Sequence, residues 1–175
     1  MTGALADALF SAERAADLPV ASDLYGWLVG SWDLDVRHYA GIDLADQGVT
    51  GELHAERILE GRGLQDTWIM PRRRDRRPPL DAVRNTYGTT LRIWDPAIQA
   101  WRITWINPAR NYTEQQIGRA RGADIVQLGH RPNGATSRWT FTDIAPASFR
   151  WIGDVLEPDG TTWRLETEYR VTRAA

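Results

Sequence analysis

The residues of this 175-residue chain that could carry chemistry are three histidines, a few carboxylates and an arginine-rich stretch. His38 follows Trp32 at an even spacing, so a strand would put both on one face. An imidazole titrating near neutrality at a cavity mouth could serve as general acid or base; the alternative is a rim histidine bonded to a loop. Asp66 shares a face with Trp68 and Met70 in one orientation, where a carboxylate among aromatics could exchange protons. In the other orientation Thr67 and Ile69 point inward and Asp66 is solvated. Tyr112, Glu114 and Gln116 form a second polar row whose face is equally open. His54 stands between Glu52 and Glu56, a spacing that resembles a metal or acid/base cluster, but Leu53 and Ala55 claim the inner face and turn this row toward water. His130 opens a turn and reads as a surface residue. The histidines lie on separate strands or turns without ligand spacing, so no metal centre is expected. The candidate catalytic set is therefore His38, Asp66, Tyr112 and Glu114, with no cofactor.

Composition removes several classes of function. There is no cysteine, which excludes disulfides, thiolate metal sites and cysteine nucleophiles. Every one of the 21 basic residues is arginine, so lysine Schiff-base chemistry and a P-loop lysine are absent. A net charge of -2 leaves no chain-wide basic field for a nucleic-acid backbone. No run approaches the roughly 20 apolar residues of a membrane-spanning helix. The first 19 residues carry Asp7, Glu13, Arg14 and Asp17, unlike a signal peptide, and a cytoplasmic location is expected. Nine tryptophans are a high share, and each indole N–H needs a partner when buried.

The elements that must position these residues follow from periodicity. Residues 3–17 carry Leu5, Leu9, Ala12 and Ala16 at helical spacing, and Pro19 ends the pattern. Ser22 is placed to cap a second short helix bearing Leu24, Trp27 and Leu28, stopped by Gly30. Beyond Gly30 the period becomes two. Strand-like runs fall at about 31–39, 48–59, 63–70, 86–95, 100–107, 111–119, 123–130, 136–143, 147–156 and 161–172, most of them separated by turn signals such as Asn107-Pro108 and Pro158-Asp159-Gly160. Connections this short make neighbouring strands antiparallel, and closure removes the sheet edges. The predicted fold is all-β: a ten-stranded antiparallel up-and-down barrel over residues 30–175, capped by N-terminal helices in residues 1–29, forming a single domain.

At Gly30-Ser31-Trp32 a G-x-W follows a short helix and opens the first strand. With the segments LEGRGLQDTWIMP, LRIWDPAIQAWRITW and RWTFTDIAPASFRW, this resembles the calycin superfamily, and more closely the bacterial lipocalin-like and fatty-acid-binding-protein-like domains. The resemblance spans about residues 24–173. It implies that Trp32 plugs one barrel end with a late arginine, Arg173 or Arg170, packed across it, and that the barrel holds a cavity for a small apolar or amphipathic molecule. Nitrobindin-like relatives hold haem through a histidine on a late strand; residues 136–172 contain none, so haem is not expected here.

Extending the aromatic faces gives an expected lining of Trp32, Leu34, Val36, His38, Leu53, Ala55, Trp101, Ile103, Trp105, Asn107, Trp139, Phe141, Phe149, Trp151, Leu165, Thr167 and Tyr169. The half nearest Trp32 should be packed and the far half hollow. For ligand contact the expected residues are Val36, Leu53, Trp68, Trp105, Asn107, Phe141, Trp151 and Tyr169. The loop Pro71–Arg84 holds six arginines against Asp75 and Asp81. It is either a solvated flap or a lid whose Arg73 and Arg76 steer the anionic end of a ligand. Two functions compete: a pocket protein binding a small hydrophobic or aromatic, and in one version anionic, molecule; and a cofactor-independent cyclase, isomerase or dehydratase acting on a hydrophobic intermediate in the same cavity. The expected partner is that small molecule, with neither nucleic acid nor membrane, and with a homodimer left open.

Overall fold

The structure, a computed structural model, describes residues 3–80 and 84–175. Among them are a short helix α1 (Ala4–Leu9) and the strands β1 (Phe10–Ser11), β2 (Gly30–Tyr39), β3 (Ile42–Asp43), β4 (Thr50–Ile58), β5 (Gly63–Met70), β6 (Thr86–Asp95), β7 (Ala100–Asn107), β8 (Tyr112–Arg121), β9 (Asp124–His130), β10 (Thr136–Ala145), β11 (Ser148–Leu156) and β12 (Trp163–Arg173). From β4 to β12 each strand pairs antiparallel with the next. β2 pairs with both β12 and β4, which closes a ten-stranded barrel. The two-residue strands β1 and β3 are appendages, on β4 and on β2. Closure leaves no long edge, as expected of a meander this size.

The N-terminal arm is less helical than its periodicity predicts. The expected helix over 3–17 stops at Leu9, and no residue of α1 is buried. Leu5 is 79% exposed and covers no apolar surface, and a lone helix of this length is marginal in water. The chain instead extends, pairs Phe10 with Ile58, and folds over the β4–β5 hairpin, where Ala15 N–H bonds Gly61 C=O at 3.2 Å and Leu18 is buried. The second expected helix is two 3₁₀ turns, Val20–Ser22 and Gly26–Leu28, and the Ser22 side chain caps neither.

This arm closes one barrel end. Trp32 packs edge-to-face against Trp27 and Phe149, with ring centroids at 6.1 and 5.1 Å, and its indole donates to Leu28 C=O at 2.7 Å. Of the two arginines expected across it, Arg173 is the one. Its guanidinium sits 4.0 Å from the Trp32 ring and donates to the carbonyls of Trp27, Val29 and Pro146, tying the last strand to the cap. Tyr25 inserts deeper, with its ring edge-on to Trp101 at 5.2 Å and its hydroxyl donating to Gln127 at 3.1 Å. Gly118 makes that possible, since a Cβ there would lie 2.3 Å from the Tyr25 oxygen. Trp27, Trp32 and Trp101 all find backbone carbonyls for their indole N–H groups at this end.

Candidate binding cavity

The opposite half of the barrel encloses a cavity of about 210 Å³. One side is aromatic. Tyr39 stacks on Tyr169 at 6.3 Å, Tyr169 lies 5.8 Å from Trp68, Trp68 stacks on Trp151 at 5.4 Å, and Trp151 stacks on Trp139 at 5.5 Å. These five rings come from β2, β12, β5, β11 and β10. Gly153 opposite Trp139 clears the space, because a Cβ there would meet the indole at 2.2 Å.

The other side is polar, and its cause lies in an inverted pattern. On β6 the buried face is Thr86, Gly88, Thr90 and Arg92, while Tyr87, Leu91 and Ile93 face outward. On β8 and β9 the buried positions are Glu114, Gln116, Gly118 and Ile125, Gln127, Gly129. A directed chain of hydrogen bonds runs across them. Arg92 Nε donates to Gln127 Oε1 at 3.3 Å, Gln127 Nε2 to Gln116 Oε1 at 2.9 Å, and Gln116 Nε2 to Glu114 Oε1 at 2.9 Å. A cation at one end and a carboxylate at the other orient both amides the same way, so each bond polarises the next.

Asp66 points inward, resolving the two orientations in favour of the Trp68 and Met70 face. It is 1% exposed and ion-paired with Arg92, which is 0% exposed and lies 4.9 Å from the Tyr25 ring. Asp66 belongs to the barrel's buried framework; Arg92, not Asp66, reaches the cavity wall. Glu114 is also inward. It accepts from Tyr112 Oη, Ser137 Oγ, Gln116 Nε2 and, at 3.3 Å, Trp139 Nε1, so it stands behind three wall residues and holds their polar atoms in place. Burial and this carboxylate push the Tyr112 phenol well above its ordinary pKa.

His38 is not on the wall. The β2–β12 register slips by one residue between Val36 opposite Tyr169 and His38 opposite Glu168. That bulge at Arg37 turns His38 off the Trp32 face and brings Tyr39 in, where its hydroxyl meets Thr86 Oγ1 at 2.6 Å. A second slip between Gly153 and Asp154 on β11 leaves Glu166 as the extra residue of β12. Leu165 is thereby 36% exposed rather than lining the cavity, and Glu166 takes a place at the mouth, ion-paired with Arg131 at 2.5 Å.

Of the expected ligand contacts, Trp68, Trp105, Asn107, Trp151 and Tyr169 line the cavity, as does Tyr112. Val36, Leu53 and Phe141 are buried in the core and do not reach it. Arg73 and Arg76 do not reach it either. Arg73 is clasped to the outer barrel wall, where its Nε donates to Glu52 at 2.7 Å and its Nη2 to His54 Nε2 at 3.0 Å. Arg76 donates to Asn85 at 2.6 Å and covers the Tyr87 ring at 5.2 Å. The loop's short tether to β5 and the carboxylate on β4 decide this; Asp81 of that loop lies outside the described residues. The cations at the cavity are Arg92, Arg110 and Arg131, and only their inward position in a closed barrel distinguishes them from the chain's other arginines.

The outer cluster has its own chemistry. Glu52 and His54 face outward beside Ser31, whose Oγ lies 2.9 Å from His54 Nδ1. His54 Nε2 lies between two partners of opposite charge, the Arg73 guanidinium at 3.0 Å and Glu52 Oε2 at 3.3 Å, which fixes the ring on the outer wall. Desolvation pushes the Glu52 carboxyl up, but the side-chain and backbone N–H groups of Arg73 outweigh it and hold it at about 2, below its ordinary 4.5. A carboxyl depressed on folding stabilises the protein above its ordinary value, and that contribution disappears as pH falls from 4.5 through about 2. Urea midpoints of the parent and Arg73→Ala should accordingly differ at pH 6 and converge as the pH approaches 2; a constant gap would show that the clasp is not what titrates.

No protein-family model matches the chain, and no curated protein matches it.

Proposed function

We propose that this chain is a lipocalin-like pocket protein of the calycin type, acting in the cytoplasm, that binds a small, planar, largely aromatic molecule at the open end of its barrel. The observation that carries this reading is the stacked wall from Tyr39 to Trp139 beside a 210 Å³ cavity. That volume exceeds the about 150 Å³ dry cavity that accepts benzene and falls short of the about 300–1,000 Å³ of sites for drug-sized ligands. One or two fused rings fit it better than a long acyl chain. Around the cavity, Arg92, Arg110 and Arg131 are balanced by Asp66, Glu114 and Glu166, so the local charge favours a neutral ligand over an anion.

Calorimetry with quinoline as a two-ring probe tests this. Saturable binding is expected, with little change between low and high salt, because apolar burial and stacking carry the affinity. His38→Ala, Arg73→Ala and Arg76→Ala should leave the dissociation constant within about twofold, as none of these residues reaches the wall. Absence of saturable binding by quinoline, or a steep salt dependence, would overturn the reading.

A second reading, a cofactor-independent acid/base enzyme, is favoured by one observation: Tyr112 faces the cavity while donating its proton to Glu114. The phenol oxygen can take a proton from a bound molecule as its own passes to the carboxylate. An enzyme of this kind should lose turnover by about 10²-fold or more in Tyr112→Phe with ring-probe affinity retained.

A further inference from the structure

Asn107 closes β7 at the cavity. It is 3% exposed, lines the wall, and its side-chain oxygen has no hydrogen-bond partner. Asparagine at this position has an ordinary structural use: it precedes the 3₁₀ turn Pro108–Arg110, where its side chain would cap the free backbone N–H groups. It makes no such bond. Among the described residues its amide nitrogen has no acceptor either. A buried oxygen without a donor is costly; a molecule that brings a donor satisfies it, and one that carries an acceptor beside that donor meets the amide nitrogen as well.

The neighbour across the ladder reinforces this. Tyr112 is in register with Asn107 and lines the same cavity. Its single proton goes to Glu114, so toward the cavity its oxygen only accepts. Glu114 is held by four donors and keeps the phenol in that role. The polar edge thus offers one amide that both donates and accepts, next to one further acceptor, facing a wall of stacked rings.

Resting on the binding reading above, we infer that the cavity selects a planar one- or two-ring aromatic with adjacent ring N–H and C=O groups, an aromatic lactam, whose N–H and C=O pair with Asn107 while its ring lies against the indole wall. Such an edge matches an amide in either of its two orientations, so the match does not depend on which Asn107 atom is oxygen. A ligand carrying only an acceptor leaves the Asn107 and Tyr112 oxygens unpaired, and a pocket built to bond a polar group rejects analogues that lack it.

Three probes of nearly equal size separate the outcomes in calorimetry: quinoline, 2-quinolone and N-methyl-2-quinolone. The expected result is that 2-quinolone binds at least about tenfold more tightly than the other two, the factor that follows from leaving a buried acceptor unpaired. Asn107→Leu should abolish that preference, read as the ratio of the 2-quinolone to the quinoline dissociation constant in the same variant. Asn107→Ala, which removes both the donor and the acceptor without adding bulk, should also abolish it and guards against a packing defect in the first variant. Equal affinity of the parent protein for all three probes would overturn the lactam inference and leave the aromatic pocket standing. No binding by any of them would overturn both, and a preference that survives in both variants would remove Asn107 from the recognition.

Discussion

Asp66→Ala is expected to cost about 3–5 kcal/mol of folding stability, because it leaves the Arg92 guanidinium buried without its counter-charge. Neither residue has access to water that could solvate a lone charge. Arg92 also anchors the hydrogen-bond chain through Gln127 and Gln116, so the loss should spread to the polar wall. A paired replacement, Asp66→Leu with Arg92→Met, removes both charges together and should recover most of the loss, since two apolar groups of similar volume avoid the desolvation that the pair must repay. Urea unfolding of the parent and the two variants checks this. A single variant within about 1 kcal/mol of the parent would mean that the pair is solvated. A double variant no better than the single would place the stability in the Gln127 contact and not in the charge balance. For the catalytic reading of Asp66 the consequence is direct: loss of activity in Asp66→Ala follows from loss of the wall, and says nothing about proton transfer unless the paired replacement is also inactive.

Trp151→Ala should be the second large effect. Trp151 stacks on both Trp68 and Trp139, and its centroid lies 4.2 Å from that of Phe141, so it joins the cavity wall to the packed core. Truncating a buried tryptophan costs about 3–5 kcal/mol. Part of that, about 0.5–1.5 kcal/mol for each stacked pair, is recoverable by a ring of similar orientation. Trp151→Phe is therefore expected to lose clearly less than Trp151→Ala in urea midpoint. Quinoline affinity should follow the same order, with Trp151→Ala at least about tenfold weaker, because one ring face of the slot is gone. Equal quinoline affinity in the parent and Trp151→Ala would move the bound ring away from this wall.

Much of the molecule was legible without coordinates. Each of the ten long strands falls within a few residues of its predicted range, because a period of two and a turn signal are both local properties. The G-x-W entry, with Trp32 plugging one end under Arg173, is local at one end and settled by strand closure at the other. Trp68, Trp105, Asn107, Trp151 and Tyr169 reach the cavity because no bulge intervenes between them and the aromatic pattern used to place them.

Closing the ring decided the rest. Ten tilted strands must stagger to meet, and two of the slips that absorb the stagger fall at Arg37 and Glu166. Past each slip the two-residue count reverses, which exchanges His38 for Tyr39 and Leu165 for Glu166. Nothing in the local pattern marks where a ring will need its extra residue. The polar wall was hidden for a related reason. On β6 and β9 the apolar residues Leu91, Ile93 and Leu128 suggest one inward face, while Arg92 and Gln127 occupy it, since a buried charge is stable only beside partners from distant strands. Arg73 and Arg76 stay off the cavity because a carboxylate on β4 and the ring of Tyr87 outcompete it for them. The strands, their order and the aromatic supply follow from local patterns along the chain. The tertiary structure alone decided which side chains meet inside, because that depends on register around a closed sheet and on charges that pair only after closure.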